Sequence, residues 1–501
     1  PKIADGDGTA AIKVDLINDG AAAAEVTVKT TTDGVTGQTT VDVPGYGSAE
    51  AELEVKVTDP ELWSLEDPNL YTAEIEVLVG GDVVDSCEET FGYRWFSWSE
   101  QGFALNGENV KLNGVCLHHD QGALGAAAYY DAMYRQLSIM KDMGCNAIRT
   151  SHNPADEQFI EICSELGLLV IEEHFDGITA AKNGNSNDFS KYFAQKAHSG
   201  LYGVEADMLC SEYVVRSIVK RDRNEPSVFA WSYGNEIQEG AWADPQFVDY
   251  CEKYINWTSE EDGTRIVTIG DNSKAGNSVL QQVLTKILES GGVVGFNYHC
   301  HQANSQNLVD NWGGKWECIL ASETSSHINS RGQYRGQGSG SNIDGKYHLT
   351  SYDTSAVGWG DTAHASMWDT LTKDYIAGEF VWTGFDYIGE PTPWNGTGTG
   401  DSGRGAIPNS SYFGIVETTG FPKDNYYLYR AQWNQVDTTV HLVTAWDSEN
   451  MYTDYYGKTP VWVYTNAAKV ELYLNDALIG TTTGKVNTTA AGKLYVQKVK
   501  E

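Results

Sequence analysis

Basic residues are scarce in this 501-residue chain: 34 Lys and Arg stand against 69 Asp and Glu, a formal net charge of -35. Such a surface repels phosphate backbones and anionic headgroups, which argues against nucleic acid or a membrane as partner and for a neutral one. The acidic residues are spread along the chain without an acidic tail, so solvation accounts for most of them. Also missing is any apolar run approaching the roughly 20 residues that cross a bilayer. The eight cysteines, Cys87, Cys116, Cys145, Cys163, Cys210, Cys251, Cys300 and Cys318, show no CxxC spacing, and most lie in apolar strand or helix patterns. Buried free thiols are therefore expected, which favours a reducing, cytoplasmic compartment. The chain opens at Pro1 without Met or leader, and Ala11 to Asp15 already reads as a strand, so the N-terminus is expected to be cut and a secreted or periplasmic location stays open.

The length exceeds what one hydrophobic core supports, so several domains are expected. Residues 1–97 alternate in β fashion, as in Ala51-Glu-Leu-Glu-Val-Lys-Val, with Gly and Asp-Gly turns between the runs. An immunoglobulin-like β-sandwich is the expected fold there. A hairpin follows, Phe103 and Leu105 leading into Asn106-Gly107 and Val110 and Leu112 leading out, placed to plug one end of the next domain. From Gly114 the pattern becomes apolar run, loop, amphipathic helix and Gly. Met133, Leu137 and Met140 recur at helical spacing before Gly144; Asn153 and Pro154 are expected to open a second helix that Gly167 closes. Further apolar runs begin at Asn146, Leu168, Val228, Arg265, Val293, Ile319 and Ile376, and with the run after Gly114 they make eight. Eight βα units predict a TIM barrel over 98–435, with its chemistry at the C-terminal ends of the strands. After 436 the chain turns β again, as in Val461-Trp-Val-Tyr and Lys469-Val-Glu-Leu-Tyr-Leu, a partial β-sandwich over 436–501.

That rule selects two carboxylates. Val228-Phe-Ala-Trp-Ser-Tyr-Gly-Asn-Glu places Glu236 just past a continuously apolar strand, and Ile319-Leu-Ala-Ser-Glu delivers Glu323 in the same way. Two carboxyls at one cleft suit glycosidic cleavage, because one can protonate the departing oxygen while the other meets the positive anomeric carbon.

The chain resembles glycoside hydrolase family two, the β-galactosidases, β-glucuronidases and β-mannosidases, most closely the bacterial β-galactosidases. The resemblance rests on Phe91-Gly-Tyr-Arg, Gly102-Phe-Ala-Leu-Asn-Gly, Gly114-Val-Cys-Leu-His-His-Asp, Asn146-Ala-Ile-Arg-Thr-Ser-His-Asn-Pro, Arg221-Asp-Arg-Asn-Glu-Pro-Ser, Gly234-Asn-Glu and Phe380-Val-Trp-Thr-Gly-Phe-Asp-Tyr. It implies a retaining exo-β-galactosidase with Glu236 as acid/base, Glu323 as nucleophile and Asn235 as ligand of the sugar 2-hydroxyl. Arg149 would hold Glu323 ionised, His118 and His152 would line the sugar pocket, Tyr298 would stand beside the nucleophile and Trp382 would form the pocket floor. Glucuronidases of the family carry an Asn-x-Lys before a Gly; aligned on Gly414, this chain has Ser411, Tyr412 and Phe413 there. That implies a neutral sugar, with Phe413 near its 6-hydroxyl, and Gly389-Glu-Pro-Thr-Pro and Gly420-Phe-Pro-Lys-Asp are similar to bacterial β-galactosidases.

The family's N-terminal jelly roll is missing from the chain, so the pocket is expected to lack that domain's contribution. Some relatives bind magnesium or sodium beside the site, but Glu172, Glu173, His174 and Asp176 show no metal-ligand spacing, and no metal and no cofactor is assigned. A homo-oligomer stays open. So do the rival readings: a β-glucuronidase, β-mannosidase or other β-glycosidase of the same fold, and a non-catalytic carbohydrate-binding fragment.

Overall fold

The computed structural model describes residues 1–299 (apart from 5, 186, 202 and 274), 305, 308, 318–394 (apart from 337, 339, 341 and 342), 409–483 (apart from 455), 487, 488, 494 and 495. Cys300 and most of the chain beyond 483 lie outside the described residues.

The first 91 residues form two antiparallel sheets face to face. One takes Lys2–Ala4, Asp7–Asn18 and Gly47–Val57, the other Val35–Val43, Ala24–Thr32, Tyr71–Val79 and Asp82–Phe91 in that spatial order. The period of two decides which side is inside: Ala51, Leu53, Val55 and Val57 are buried while Glu52, Glu54 and Lys56 face water. Val28, Val43 and Ile75 meet them from the second sheet. Trp63, wholly buried, carries the sandwich onto the barrel by donating its indole N–H to the Ser164 carbonyl at 2.9 Å.

A small sheet of Phe96–Ser99, Gly102–Leu105 and Glu108–Val110 follows. Phe103 packs on Phe229 at 5.4 Å between ring centroids, which closes the N-terminal end of the barrel. The outgoing strand ends at Val110. Leu112 does not belong to the hairpin, because it already pairs with Gly378 as the first residue of the barrel.

Eight parallel strands then close on themselves in sequence order: Leu112–Leu117, Ala147–Thr150, Leu169–Glu173, Val228–Asn235, Ile266–Asp271, Gly295–Asn297, Ile319–Ser325 and Ile376–Trp382. All but a few of their residues are buried, since barrel strands have side chains on the inside and helices on the outside. The helix Tyr130–Met143 stops at Gly144 in the left-handed region, φ 94°, as its sequence predicts. The next helix differs. It runs Glu157–Leu166 and is capped by Asp156, whose carboxylate accepts from the Gln158 N–H at 3.1 Å, so Asn153 and Pro154 belong to the loop ahead of it.

Beyond the barrel, the helix Asp424–Trp433 packs against an antiparallel pair, Val440–Val443 with Trp462–Thr465. A hairpin, Lys469–Leu474 with Ala477–Thr483, turns on Asn475 and Asp476, both at positive φ, as a tight hairpin turn requires. Five of the seven described cysteines are buried as expected; Cys87 is exposed on an outer sandwich strand and Cys210 is half-buried.

Candidate active site

Arg149, on the second strand, is 1 % exposed and organises the C-terminal mouth of the barrel. Its guanidinium makes a forked pair with Glu173, reaches Glu323 Oε2 at 2.9 Å and Asn235 Oδ1 at 2.9 Å, and donates to the Ser322 carbonyl at 3.1 Å. Burial acts to lower its pKa, but Glu173, Cys116 and Glu323 outweigh burial and hold the cation well above its ordinary value. Room for this cluster comes from Gly270 on the fifth strand, where a Cβ would stand 2.8 Å from Arg149 Nη2 and 2.9 Å from Asn297 Oδ1.

The hydrogen bonds settle how Asn235 lies. Its Oδ1 accepts from both Arg149 and Asn297, the latter at 2.9 Å, so its amide nitrogen faces His152 Nε2 at 3.2 Å. His152 Nδ1 stands 2.7 Å from Glu173 Oε1. An imidazole that donates from Nδ1 and accepts at Nε2 is neutral, and burial together with Arg149 does push His152 well below its usual pKa. One N–H of Asn235 serves His152, which leaves the second for a ligand.

Asn297, the last residue of the sixth strand, and Tyr298 just beyond it hold the two catalytic candidates. Asn297 Nδ2 donates to Glu236 Oε1 at 3.0 Å, and the Tyr298 hydroxyl donates to Glu323 Oε1 at 2.5 Å. Glu236 is half-buried and Glu323 is 4 % exposed. Burial is the largest influence on the Glu323 carboxyl and pushes it up to about 7, while Arg149 and the Tyr298 hydrogen bond favour the ionised form and Glu236 opposes it.

Trp382 lies beneath. His152 stacks flat on it at 5.2 Å and 5°, His118 and Tyr387 meet it edge-on at 5.2 and 5.7 Å, and the buried Phe413 does so at 6.5 Å. Burial lowers the His118 pKa as well. Lys423, in the segment that follows Phe413, is buried and taken: Nζ pairs with Asp386 at 2.6 Å and donates to the carbonyls of Asn329 and Tyr412. Beside this floor a cavity of about 460 Å³ opens between His118, Asp120, Ser151, Pro154, Tyr387 and Ile388.

The residues expected to catalyse or to bind the sugar thus gather at one mouth, and the structure brings Glu173, Asn297 and Tyr387 to them. Glu173 and Asn297 end apolar strands, so the strand-end rule could have selected them. Glu173 is spent on Arg149, His152 and Ser232, Glu172 meets Arg221, and His174 Nδ1 is engaged by the Tyr254 hydroxyl at 2.8 Å. Among the described residues no group of three or more His, Cys, Asp or Glu could hold a metal ion.

A parallel barrel with two strand-end glutamates over an aromatic floor defines a class, the barrels of the glycoside hydrolases. The chain belongs to glycosyl hydrolases family 2: residues 97–413 match the TIM-barrel domain of that family, residues 1–94 match a second domain of it, and residues 457–496 match a domain of unknown function, DUF4982. It is 33 % identical to a β-galactosidase of Bacteroides ovatus over 92 % of this chain and 55 % of that protein. It is 32 % identical to a putative β-glucuronidase of Formosa agariphila over 86 % of this chain and 39 % of that protein. Among solved structures it is similar to a β-glycosidase from Bacteroides vulgatus, with a TM-score of 0.73 and 26 % identity over 96 % of this chain and 60 % of that one. The chain spans about half the length of the curated relatives it matches. No described helix is long and apolar enough to cross a membrane.

Proposed function

We propose that this chain carries the catalytic core of a retaining exo-β-galactosidase that removes terminal β-D-galactosyl groups from neutral glycosides. Glu323 attacks the anomeric carbon while Glu236 protonates the departing oxygen, which leaves a galactosyl ester on Glu323. Glu236 then takes a proton from water as the water attacks the same carbon and frees the sugar. Retention requires the two carboxyls about 5 to 5.5 Å apart, and their tethering to the adjacent residues Asn297 and Tyr298 supports such a close spacing. Asn235 donates its remaining N–H to the 2-hydroxyl, His118 binds a sugar hydroxyl as a neutral imidazole, His152 holds the Asn235 amide in place, and Trp382 supports the apolar face of the ring.

One observation supports galactose over glucuronic acid: the pocket wall at Phe413 is aromatic, and Lys423 is buried in an ion pair with Asp386. A uronate carboxylate there would lose its water, and Lys423, held by Asp386, would not serve it as a counter-ion. The glucuronidase reading is the rival, since relatives of both names match the chain. Hydrolysis of nitrophenyl β-glycosides separates the two. Faster turnover of the galactoside is expected, and faster turnover of the glucuronide overturns the sugar assignment. Glu323→Gln should abolish hydrolysis of every glycoside tried, because a neutral amide cannot form the ester; undiminished turnover removes Glu323 from the mechanism.

A further inference from the structure

In the loop after the third barrel strand, Lys182 opens a single 3-10 turn, Lys182–Gly184. Its ammonium donates to the main-chain carbonyl of Asn235 at 2.9 Å and to Asp176 Oδ1 at 2.6 Å, with 14 % of the side chain exposed. That carbonyl belongs to the peptide joining Asn235 to Glu236. Glu236 has φ 45°, a left-handed conformation that an L residue adopts only when its surroundings impose it. On the far side, the Glu236 N–H donates to the Gly270 carbonyl at 2.8 Å. The peptide is thus pinned at both ends, and among the described residues Lys182 is the side chain that pins it.

The loop is built to keep that ammonium in place. Glu239, three residues beyond Glu236, accepts the N–H groups of Thr179 and Ala180 at 2.7 and 2.6 Å and the Thr179 hydroxyl at 3.0 Å. The Lys182 N–H donates to Asp188, and Gln238 donates to Asn183, each at 2.9 Å. Loop and acid/base segment are therefore laced together on either side of Lys182. The Asp176 carboxylate occupies the ammonium as well, which argues against Lys182 serving as a counter-ion for an anionic substrate.

We propose that Lys182 is a positioning residue: by holding the Asn235 carbonyl it fixes the left-handed turn at Glu236 and aims that carboxyl at the glycosidic oxygen. This rests on the reading of Glu236 as the acid/base. Protonation by a general acid matters in proportion to the basicity of the leaving group. Kinetics on two galactosides that differ only in the aglycone therefore isolate the effect. Lys182→Met should lower kcat/KM about thirtyfold or more for an alkyl β-galactoside and about threefold or less for a dinitrophenyl β-galactoside, which departs without help. Lys182→Arg should restore most of the loss. A crystal structure of Lys182→Met should show the Asn235–Glu236 peptide rotated. Equal losses on both substrates, no loss, or an unmoved peptide would overturn the proposal. Should Lys182→Met fail to fold, Lys182→Gln carries the same test. If the wild type prefers another glycone, the same aglycone pair is used on that sugar. If Glu236→Gln leaves hydrolysis of the alkyl glycoside intact, the acid/base reading itself fails, separately from the role of Lys182.

Discussion

Glu323 is pulled in two directions by its neighbours, and that makes its titration the most direct probe of the site. Burial pushes its carboxyl up to about 7, while Arg149 and the Tyr298 hydroxyl favour the ionised form. In the proposed mechanism only that form attacks carbon, so kcat/KM should fall as pH drops below about 7. Tyr298→Phe removes a hydrogen bond that stabilises the anion, so the acid limb should move upward. A rise of about one pH unit would cost roughly tenfold at about pH 6 and little at about pH 8. A pH–rate profile of the two proteins checks this, and a limb that stays put or moves down contradicts it. Glu236 and Glu323 were legible in the sequence because each stands at the C-terminal side of a largely apolar run. Glu173 ends such a run too, yet its importance comes from Arg149, His152 and Ser232, which lie far from it along the chain, and distance in sequence hides a hub of that kind. Lys182 was invisible for another reason, since an irregular loop has no periodicity from which a side chain's direction can be read.

At the level of elements, the strands place these groups only because small residues keep clear of them. A Cβ on Gly270 would stand within 3.3 Å of Asn235 Oδ1 as well as pressing on Arg149 and Asn297. Gly270→Ala should therefore disturb the cluster that orients the acid/base side of the pocket. A loss of about 10- to 100-fold in kcat/KM is expected, with about 1–3 kcal/mol lost from stability through overpacking. Steady-state kinetics and urea unfolding measure the two, and wild-type values of both would show that the fifth strand yields easily. The strands were readable because a strand buried on both faces must be apolar throughout, a pattern that Leu169–Val–Ile and Val228–Phe–Ala–Trp follow. Helix starts were less readable. Asn153-Pro154 has the composition of a cap, but that stretch follows His152 into the pocket mouth and lines the cavity there, and the helix begins only where Asp156 can cap it.

Across the whole molecule, the sandwich and barrel are joined by buried polar contacts as well as by area. The Trp63 indole N–H donates to the Ser164 carbonyl, Arg94 donates to the carbonyls of Pro226 and Val228, and Lys141 donates to those of Leu65 and Gly167. None of these pairings was legible in the sequence, since each joins segments that the βα rhythm treats as separate; the Phe91-Gly-Tyr-Arg motif marked only one side. Trp63 is the strongest joint because it is wholly buried and its one polar atom is satisfied across the boundary. Trp63→Ala opens a cavity and leaves a buried carbonyl without its donor, so about 3–5 kcal/mol should be lost. The loss falls on the joint, with the sheets of the sandwich and the closed barrel left intact. Calorimetry should consequently show the sandwich melting ahead of the barrel in Trp63→Ala, with the two transitions closer together or merged in the wild type. A single transition merely shifted to lower temperature would mean that the remaining contacts suffice to couple the domains, and an unshifted one would mean that Trp63 contributes little to the joint.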